Sequence, residues 1–204
     1  KSSATRATKP PATEARAMFD AFSLPFMQRA LACGMLVGLV ASYFGVFIVQ
    51  RRMAFLGSGL AHAAFGGIAL GLFASVGPIY IAIPFTIIVA VAIVWVRENT
   101  ALAEDTAIGV LFAAAMALGI VFIQLKQGFS VDAQTYLFGS VNYVAAADVW
   151  LAAALACATL ATMPLWGAWA YATFDRNLAR TDRVNVLSHD YALAVAMALA
   201  IVVA

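Results

Sequence analysis

The stretch that decides the fold reads, from Arg51 to Gly71, RRMAFLGSGLAHAAFGGIALG. Two arginines close one apolar segment, and the next apolar segment carries a single histidine, His62, about one turn inside it. No Asp, Glu, Lys or Arg occurs from Met53 to Val96. Because an imidazole is costly in lipid unless it faces protein or a water-filled cavity, His62 is a candidate functional residue.

Small side chains recur every four residues in the same stretch, at Gly59, Ala63, Gly67 and Gly71. This spacing predicts a helix face on which a second helix can approach closely. Ser58 precedes His62 by four residues and therefore shares its helix face. Two interpretations stay open for each: His62 is either hydrogen-bonded within the bundle or part of a transport pathway, and Ser58 either bonds to its own helix or contributes a weak ligand.

Composition indicates an all-α integral membrane protein, a polytopic helical bundle. Of the 204 residues, 64% are hydrophobic and 11% are charged, and the mean hydropathy is +0.93. A net charge of +2 gives no reason to expect nucleic-acid binding. The sequence contains no CxxC, HExxH or Walker-type motif, so we expect no enzyme activity and no ATP hydrolysis by this chain itself.

Two regions are predicted along the chain. Residues 1–26 are a polar N-terminal arm with room for a short amphipathic helix, and residues 27–204 are the membrane domain. Six spans are expected, at about 30–49, 56–75, 79–96, 107–125, 149–173 and from Tyr191 onward. The segment 126–144 is too polar and short to cross, which favours a re-entrant or interfacial helix. Since residues 191–204 would reach only about 21 Å as a helix, we expect a C-terminally incomplete fragment whose true C-terminus lies further on.

The charged residues between spans predict the orientation and two further sites. One face receives six arginines, at positions 51, 52, 97, 176, 180 and 183, and the positive-inside rule makes it cytoplasmic and leaves the N-terminal arm outside. Glu104 and Asp105 begin the fourth span, with Asp105 or Thr106 as its N-cap, and are either cytoplasmic contact residues or a metal exit site. His189 is expected in an aqueous loop without a metal role.

Several motifs resemble the membrane permease of zinc- and manganese-type ABC importers, the ABC-3 family. The first runs from Gly45 to Phe47 and continues through 51–57 and 60–63, and the second is EDTAIGVLF from Glu104. Tyr136-Leu137-Phe138-Gly139 is similar to a third signature, and the stretch 174–180 is similar to the region before the family's coupling helix. The resemblance covers the chain from about Leu31 to its end.

This resemblance implies a homodimeric type II importer permease of eight or nine helices per subunit in a prokaryotic-type plasma membrane. Its partners would be two cytoplasmic ATP-binding subunits, which supply ATP hydrolysis, and an extracytoplasmic metal-binding protein. It implies no permanently bound cofactor, since Zn²⁺ or Mn²⁺ is the cargo. In the family a carboxylate four residues before the histidine helps gate the metal path, whereas Ser58 stands here. ATPase-coupling residues would be Asp175, Arg176, Ala179 and Arg180, although in another membrane protein this run would be only a solvated loop.

The sequence therefore predicts a permease subunit that moves divalent transition-metal ions into the cytoplasm, with zinc and manganese ahead of iron. Two alternatives stay open. A permease of the same fold for a metal chelate or larger cofactor would have a wide pore without ligating side chains. A non-transporting membrane scaffold would not depend on an ATPase partner.

Overall fold

The computed structural model describes residues 24–53, 55–126 and 144–203. Within these ranges the chain forms α-helices and one 3₁₀ turn and contains no strand. The helices are α1 (Pro25–Gln50), α2 (Leu56–Phe73), α3 (Pro78–Asn99), α4 (Glu104–Leu125), α5 (Ala146–Ala161), α6 (Trp166–Phe174), α7 (Arg176–Thr181) and α8 (Val186–Val203). The N-terminal arm, the segment predicted to be re-entrant and the motif 136–139 lie outside the described residues, apart from the flanking positions 24–26, 126 and 144.

Six helical stretches are long and apolar enough to cross a membrane, which confirms the predicted fold class and number of spans. They correspond to α1, α2, α3, α4, the α5–α6 pair and α8. The short helix α7 lies between the last two spans and carries the charged run of the sequence.

Helix α2 lies between α3 and α4 and packs most extensively against both. Its small residues are the reason: a Cβ added to Gly59 would lie 2.6 Å from Ile108 Cγ2, and one added to Gly67 would lie 2.7 Å from Ala82 Cα. At the end of the helix, a Cβ on Gly71 would lie 2.8 Å from Pro78 Cα. Only glycine permits these approaches, so the glycine spacing brings three membrane helices into one layer.

Three helices end in a turn whose second residue after the helix is non-glycine in the left-handed region. These residues are Arg52 (φ 57°), Ser75 (φ 55°) and Arg183 (φ 61°). After α1, the Met53 N–H donates to the Ile48 carbonyl at 3.0 Å, and the Arg52 N–H donates to the Val49 carbonyl at 3.1 Å. This is the Schellman arrangement, which satisfies the last carbonyls of a helix and usually places glycine at the left-handed position.

The fifth span is one crossing, as predicted, but it is not one helix. Helix α5 ends at Ala161, a 3₁₀ turn covers Met163–Leu165, and α6 begins at Trp166. Pro164 lies in the turn and has no N–H to donate to the carbonyl four residues earlier, so the α-helical ladder cannot continue through it. The Thr162 hydroxyl donates to the Thr159 carbonyl at 2.6 Å and lies 3.0 Å from the Tyr43 hydroxyl, which anchors the break to α1.

Two helix starts differ from the prediction. The last span begins at Val186, five residues before Tyr191, so His189 and Asp190 are helical and not in an aqueous loop. The prediction failed because Asp190 is neutralised by arginines from other helices, which a hydropathy reading cannot detect. The N-cap of α4 is Ala103, so the prediction of Asp105 or Thr106 is wrong as well; the helix takes in Glu104 and Asp105 as its first residues.

Candidate functional site

His62 and Ser58 lie next to each other on an exposed strip of α2. Both residues are exposed, whereas Gly59 and Ala63, each one position further along, are buried. The centroid of the His62 ring is 5.5 Å from that of Phe112 on α4. The glycine contacts that fix α2 to its neighbours therefore also fix the direction in which this imidazole is presented, which is outward from the described part of the chain.

A neutral imidazole nitrogen is a common ligand of Zn²⁺ and other transition metals, and a serine hydroxyl is a much poorer one than a carboxylate. Among the described residues, no three His, Cys, Asp or Glu side chains gather into a group that could hold a metal ion. The second histidine, His189, belongs to α8, where its Nδ1 lies 2.9 Å from the Asn185 carbonyl oxygen. The described chain thus offers a single imidazole on the α2 strip, which suits transient contact with an ion and not a closed site.

A second polar site surrounds Asp190, near the start of α8. Its side chain is 2% exposed and accepts from three guanidinium groups. Arg51 Nη1 lies 2.6 Å from Oδ1, and Arg97 Nη2 and Arg176 Nη2 lie 2.5 and 2.7 Å from Oδ2. The Arg51 Nε also donates to the Thr173 hydroxyl at 2.9 Å. One buried carboxylate therefore joins the end of α1, the end of α3, α6, α7 and α8.

Glu98 is the second acid of this site and is shared by three arginines. Arg176 Nη2 lies 2.5 Å from its Oε1 and Arg97 Nη2 lies 3.1 Å from the same oxygen, while Arg180 Nη2 lies 3.6 Å from Oε2. We refer to Arg51, Arg97, Arg176, Arg180, Glu98 and Asp190 together as the acid–arginine cluster. The cluster has four cations and two anions, and its arginines are among those that the sequence analysis assigned to one face of the membrane.

The sequence reasoning missed both acids of the cluster. A signal was available, because Asp190 is followed directly by an uninterrupted apolar stretch. A carboxylate buried at such a position has a large desolvation cost unless a cation lies beside it. The excess of arginines at the ends of two other spans supplied the partners. Which arginine meets which acid depends on how the helices pack, and no spacing along the sequence contains that information.

The short helix α7 contacts the acids of the cluster on one side and is exposed on the other. Asp175 is its N-cap and accepts from the N–H groups of Asn177 and Leu178 at 3.0 and 2.9 Å. Ala179 is completely buried, in a small apolar group with Ala172 and Val186. Two large apolar side chains remain outside this contact: Leu178 is 51% exposed, and Phe174, just before α7, is 90% exposed.

Comparison with known proteins decides the family. The family model described as "ABC 3 transport family" matches residues 23–204. The chain belongs to the ABC 3 transport family. It is 32% identical over 175 residues to the high-affinity zinc uptake system membrane protein ZnuB of Haemophilus influenzae, covering 84% of this chain and 66% of that protein. It is 33% identical over 183 residues to the manganese transport system membrane protein MntC of Halalkalibacterium halodurans, covering 89% and 63%.

A solved structure, PsaBC from Streptococcus pneumoniae in complex with Fab, is similar to this ABC 3 family chain with a TM-score of 0.77. It is 29% identical and the match covers 92% of this chain and 68% of that one. The chain therefore spans about two thirds of the length of the zinc and manganese proteins just named. The predicted family and the predicted membrane location are both confirmed.

The remaining candidate residues of this ABC 3 family chain stand at the start of α4. The helix begins with Glu104 and Asp105, as the sequence predicted for the opening of the span. The Asp105 Oδ1 atom is buried and has no hydrogen-bond partner within the described ranges. A buried carboxylate oxygen without a donor is unfavourable, so Asp105 keeps the capacity to accept from a partner group or to contact a cation.

Proposed function

We propose that this chain is the membrane-spanning subunit of an ATP-driven importer of divalent transition-metal ions, with Zn²⁺ and Mn²⁺ as the cargo. One observation carries the proposal: His62, which is the only Asp, Glu, Lys, Arg or His side chain between Met53 and Val96, is exposed on α2 and not buried in the bundle. Membership of the ABC 3 transport family and the printed names of the zinc and manganese relatives support it.

In this proposal two copies of the chain place their α2 strips on either side of the path. Each copy contributes His62, with Ser58 as a weaker oxygen ligand one turn away. Two imidazoles from two chains give an ion a favourable but incomplete coordination sphere. A path must release its ion, so incomplete coordination suits transport better than a closed four-ligand site would.

Movement of the gate is assigned to the acid–arginine cluster and α7. An ATP-binding subunit would dock on the outer side of α7, where Leu178, Phe174 and Arg180 are accessible, on the face that the positive-inside rule makes cytoplasmic. Arg176 would transmit a displacement of α7 to Glu98 and Asp190, while Asp175 and Ala179 would hold α7 in shape. ATP hydrolysis then takes place in the ATPase subunit, and this chain supplies the metal path and its two-state gate.

The test is uptake of radiolabelled Zn²⁺ and Mn²⁺ by cells that contain the full-length permease, its ATPase and its binding protein. We expect His62→Ala to lower uptake of the transported metal about 10-fold or more, by analogy with the loss of a metal-site residue. His189→Ala is the matched control, because it removes the chain's other imidazole, which belongs to α8 and not to the α2 strip, and it should leave uptake unchanged.

Uptake that survives His62→Ala would support the proposal of a metal importer and overturn the assignment of the metal path to His62. Absence of uptake of either ion, with the proteins present at normal levels in the membrane, would overturn the ion importer and favour the carrier of a metal chelate. Uptake without any need for the ATPase would contradict the proposed energy source.

A further inference from the structure

A pocket of about 230 Å³ lies beside the acid–arginine cluster, at the end of the bundle where α1 and α3 finish and α8 begins. Its lining residues are Gln50, Arg51, Arg52, Arg97, Ala172, Thr173, Arg176 and Asp190. We refer to it as the arginine pocket. A cavity needs roughly 10–15 Å³ to hold one water, so this pocket has room for a ligand considerably larger than water.

Charge in the arginine pocket is strongly unbalanced. Four of its lining residues are arginines and one, Asp190, is an acid. Glu98 contacts Arg97 and Arg176 from outside the lining set, so among the described side chains the arginines at the pocket outnumber the acids. The helix ends around the pocket do not remove this excess, because α1, α3 and α6 finish there while α7 and α8 begin there, and their dipoles largely cancel.

Two guanidinium groups of the pocket have nitrogen atoms that are buried and make no hydrogen bond within the described ranges. They are Arg51 Nη2 and Arg176 Nε. The Arg51 side chain is 8% exposed and lines the pocket, so an acceptor for its Nη2 has to come from the pocket side. Asp190 accepts from Arg51 Nη1 and from the Nη2 atoms of Arg97 and Arg176, and it makes no hydrogen bond to either of the two unsatisfied nitrogens. Buried donors of this kind are unfavourable until an acceptor reaches them.

Arg52 adds an exposed guanidinium to the same wall and makes no ion pair within the described residues. It stands at the left-handed position of the turn after α1, where glycine would be less strained. The turn directs the backbone so that two consecutive arginines line one pocket, Arg51 with its side chain buried and Arg52 with its side chain at the rim.

We propose that the arginine pocket binds a phosphate group at the membrane surface. Planar guanidinium groups match phosphate oxygens in a two-pronged geometry, and a phosphate carries enough acceptor oxygens to meet Arg51, Arg52 and Arg176 together. Basic pockets between membrane helices are suited to anionic lipid head groups. The same chemistry is offered by the head group of an anionic phospholipid and by free phosphate, so the test has one arm for each source.

The matched variants are Arg52→Gln and Arg183→Gln, made in the full-length permease. Both arginines are exposed, both stand at the left-handed position of a Schellman turn, and only Arg52 lines the pocket. Neither variant removes a buried ion pair, so both should fold. Wild-type chain and both variants are purified in detergent, and their amounts and melting temperatures are compared first.

In the first arm, binding of radiolabelled inorganic phosphate is measured by equilibrium dialysis at low and high chloride. In the second arm, the proteins are placed in nanodiscs of mixed phosphatidylglycerol and phosphatidylcholine, and the phosphatidylglycerol retained per chain after detergent extraction is counted by native mass spectrometry. We expect about 10-fold weaker binding of at least one probe by Arg52→Gln, wild-type binding by Arg183→Gln, and weaker binding at high chloride.

The arm in which this difference appears identifies the source: retention of phosphatidylglycerol alone means a lipid head group, and dialysis binding means free phosphate. Equal binding by wild type and Arg52→Gln in both arms would overturn the site. An equal loss in Arg52→Gln and Arg183→Gln would overturn it as well, because it would reflect only the net charge of the surface.

Discussion

The carboxylate of Asp190 accepts hydrogen bonds from three guanidinium groups that belong to the end of α1, the end of α3 and α7. Its side chain is 2% exposed, so the desolvation of the acid has to be offset by its attraction to these three arginines. Removal of the acid leaves several cations close together with too few anions. The cluster therefore makes the position of each helix end depend on the others.

We expect Asp190→Asn to lower the free energy of unfolding by about 3–5 kcal/mol, because it leaves buried guanidinium groups without their anion. The measurement is thermal or denaturant unfolding of the purified permease. Asp182→Asn is the control: Asp182 is exposed on the same side of the chain, and an asparagine oxygen can still accept from the Tyr171 hydroxyl. Its expected cost is below about 0.5 kcal/mol. Equal stability of Asp190→Asn and wild type would contradict the cluster as a structural link.

Residue-level prediction from the sequence succeeded where a residue type was unusual in its own segment. His62 stands out because no Asp, Glu, Lys or Arg occurs from Met53 to Val96, and the structure places it on an exposed strip. Asp190 did not stand out, because the last span was predicted to begin only at Tyr191, which left Asp190 outside it. Its partners are 139, 93 and 14 residues away in sequence, so only the packed structure brings them together.

At the scale of the element, α2 shows how small side chains determine helix position. Gly67 faces α3 at a distance where a methyl group would meet backbone, 2.7 Å from Ala82 Cα and 2.8 Å from Phe85 Cβ. Gly57 stands on the same helix and has no atom within 4 Å of an added Cβ. Gly57 lies in the first turn of α2 and Gly67 lies in its interior, and only Gly67 is in tight contact with a neighbouring helix.

We expect Gly67→Ala to destabilise the permease by about 1–3 kcal/mol, since helix α3 must move away to admit the methyl group. Gly57→Ala should be neutral or stabilising by up to about 1 kcal/mol, because alanine favours the helix and meets nothing. Unfolding of the purified proteins in one detergent measures both. The same loss of stability in both variants would show that glycine matters here for the backbone alone and not for the helix contact.

Helix α7 gives a second prediction at this scale. Arg180 is 55% exposed at its side chain and lies 3.6 Å from Glu98, and exposed pairs of this kind contribute about 0–1 kcal/mol. If α7 is the docking element for an ATPase subunit, Leu178→Ser and Arg180→Gln should leave the melting temperature nearly unchanged and lower metal-stimulated ATP hydrolysis by the assembled transporter several-fold. Thr181→Ala, on an exposed position of the same helix, is the control. Normal hydrolysis in both variants would remove α7 from the coupling surface.

The sequence predicted which elements exist better than where they begin. Apolar length placed α2 and α3 closely, because that signal lies in the helices themselves. The start of α8 was placed five residues late and the N-cap of α4 was misassigned, since both depend on groups outside the helix. The break at Pro164 occurs at a proline inside the fifth span, yet whether proline bends or interrupts a helix depends on its neighbours.

At the scale of the whole molecule, two features lie on different parts of the same bundle. The acid–arginine cluster joins the ends of α1 and α3 to α7 and the start of α8, and the His62 strip belongs to α2. Helix α2 follows directly on the turn that carries Arg51 and Arg52, so displacement of the cluster has a short covalent route to the strip. The α2–α3–α4 layer has glycine contacts that are too tight to slide freely, and it would move as a unit.

This arrangement leads to a prediction about assembly. If two copies of the chain place their α2 strips across one path, a cysteine at position 58 should face the same position of the other copy. Both native cysteines, Cys33 and Cys157, are free and Cys157 is exposed, so both are first replaced by alanine. In membranes, Ser58→Cys should then form a dimer with a short thiol-specific cross-linker, and the reaction should weaken when Zn²⁺ occupies the path beside His62.

Leu118→Cys is the control, because Leu118 is also exposed, at 48%, but belongs to α4 and not to the α2 strip. It should give little dimer under the same conditions. Efficient cross-linking at position 118 with none at 58 would place the contact between copies on α4, and the metal path would then have to be sought away from His62.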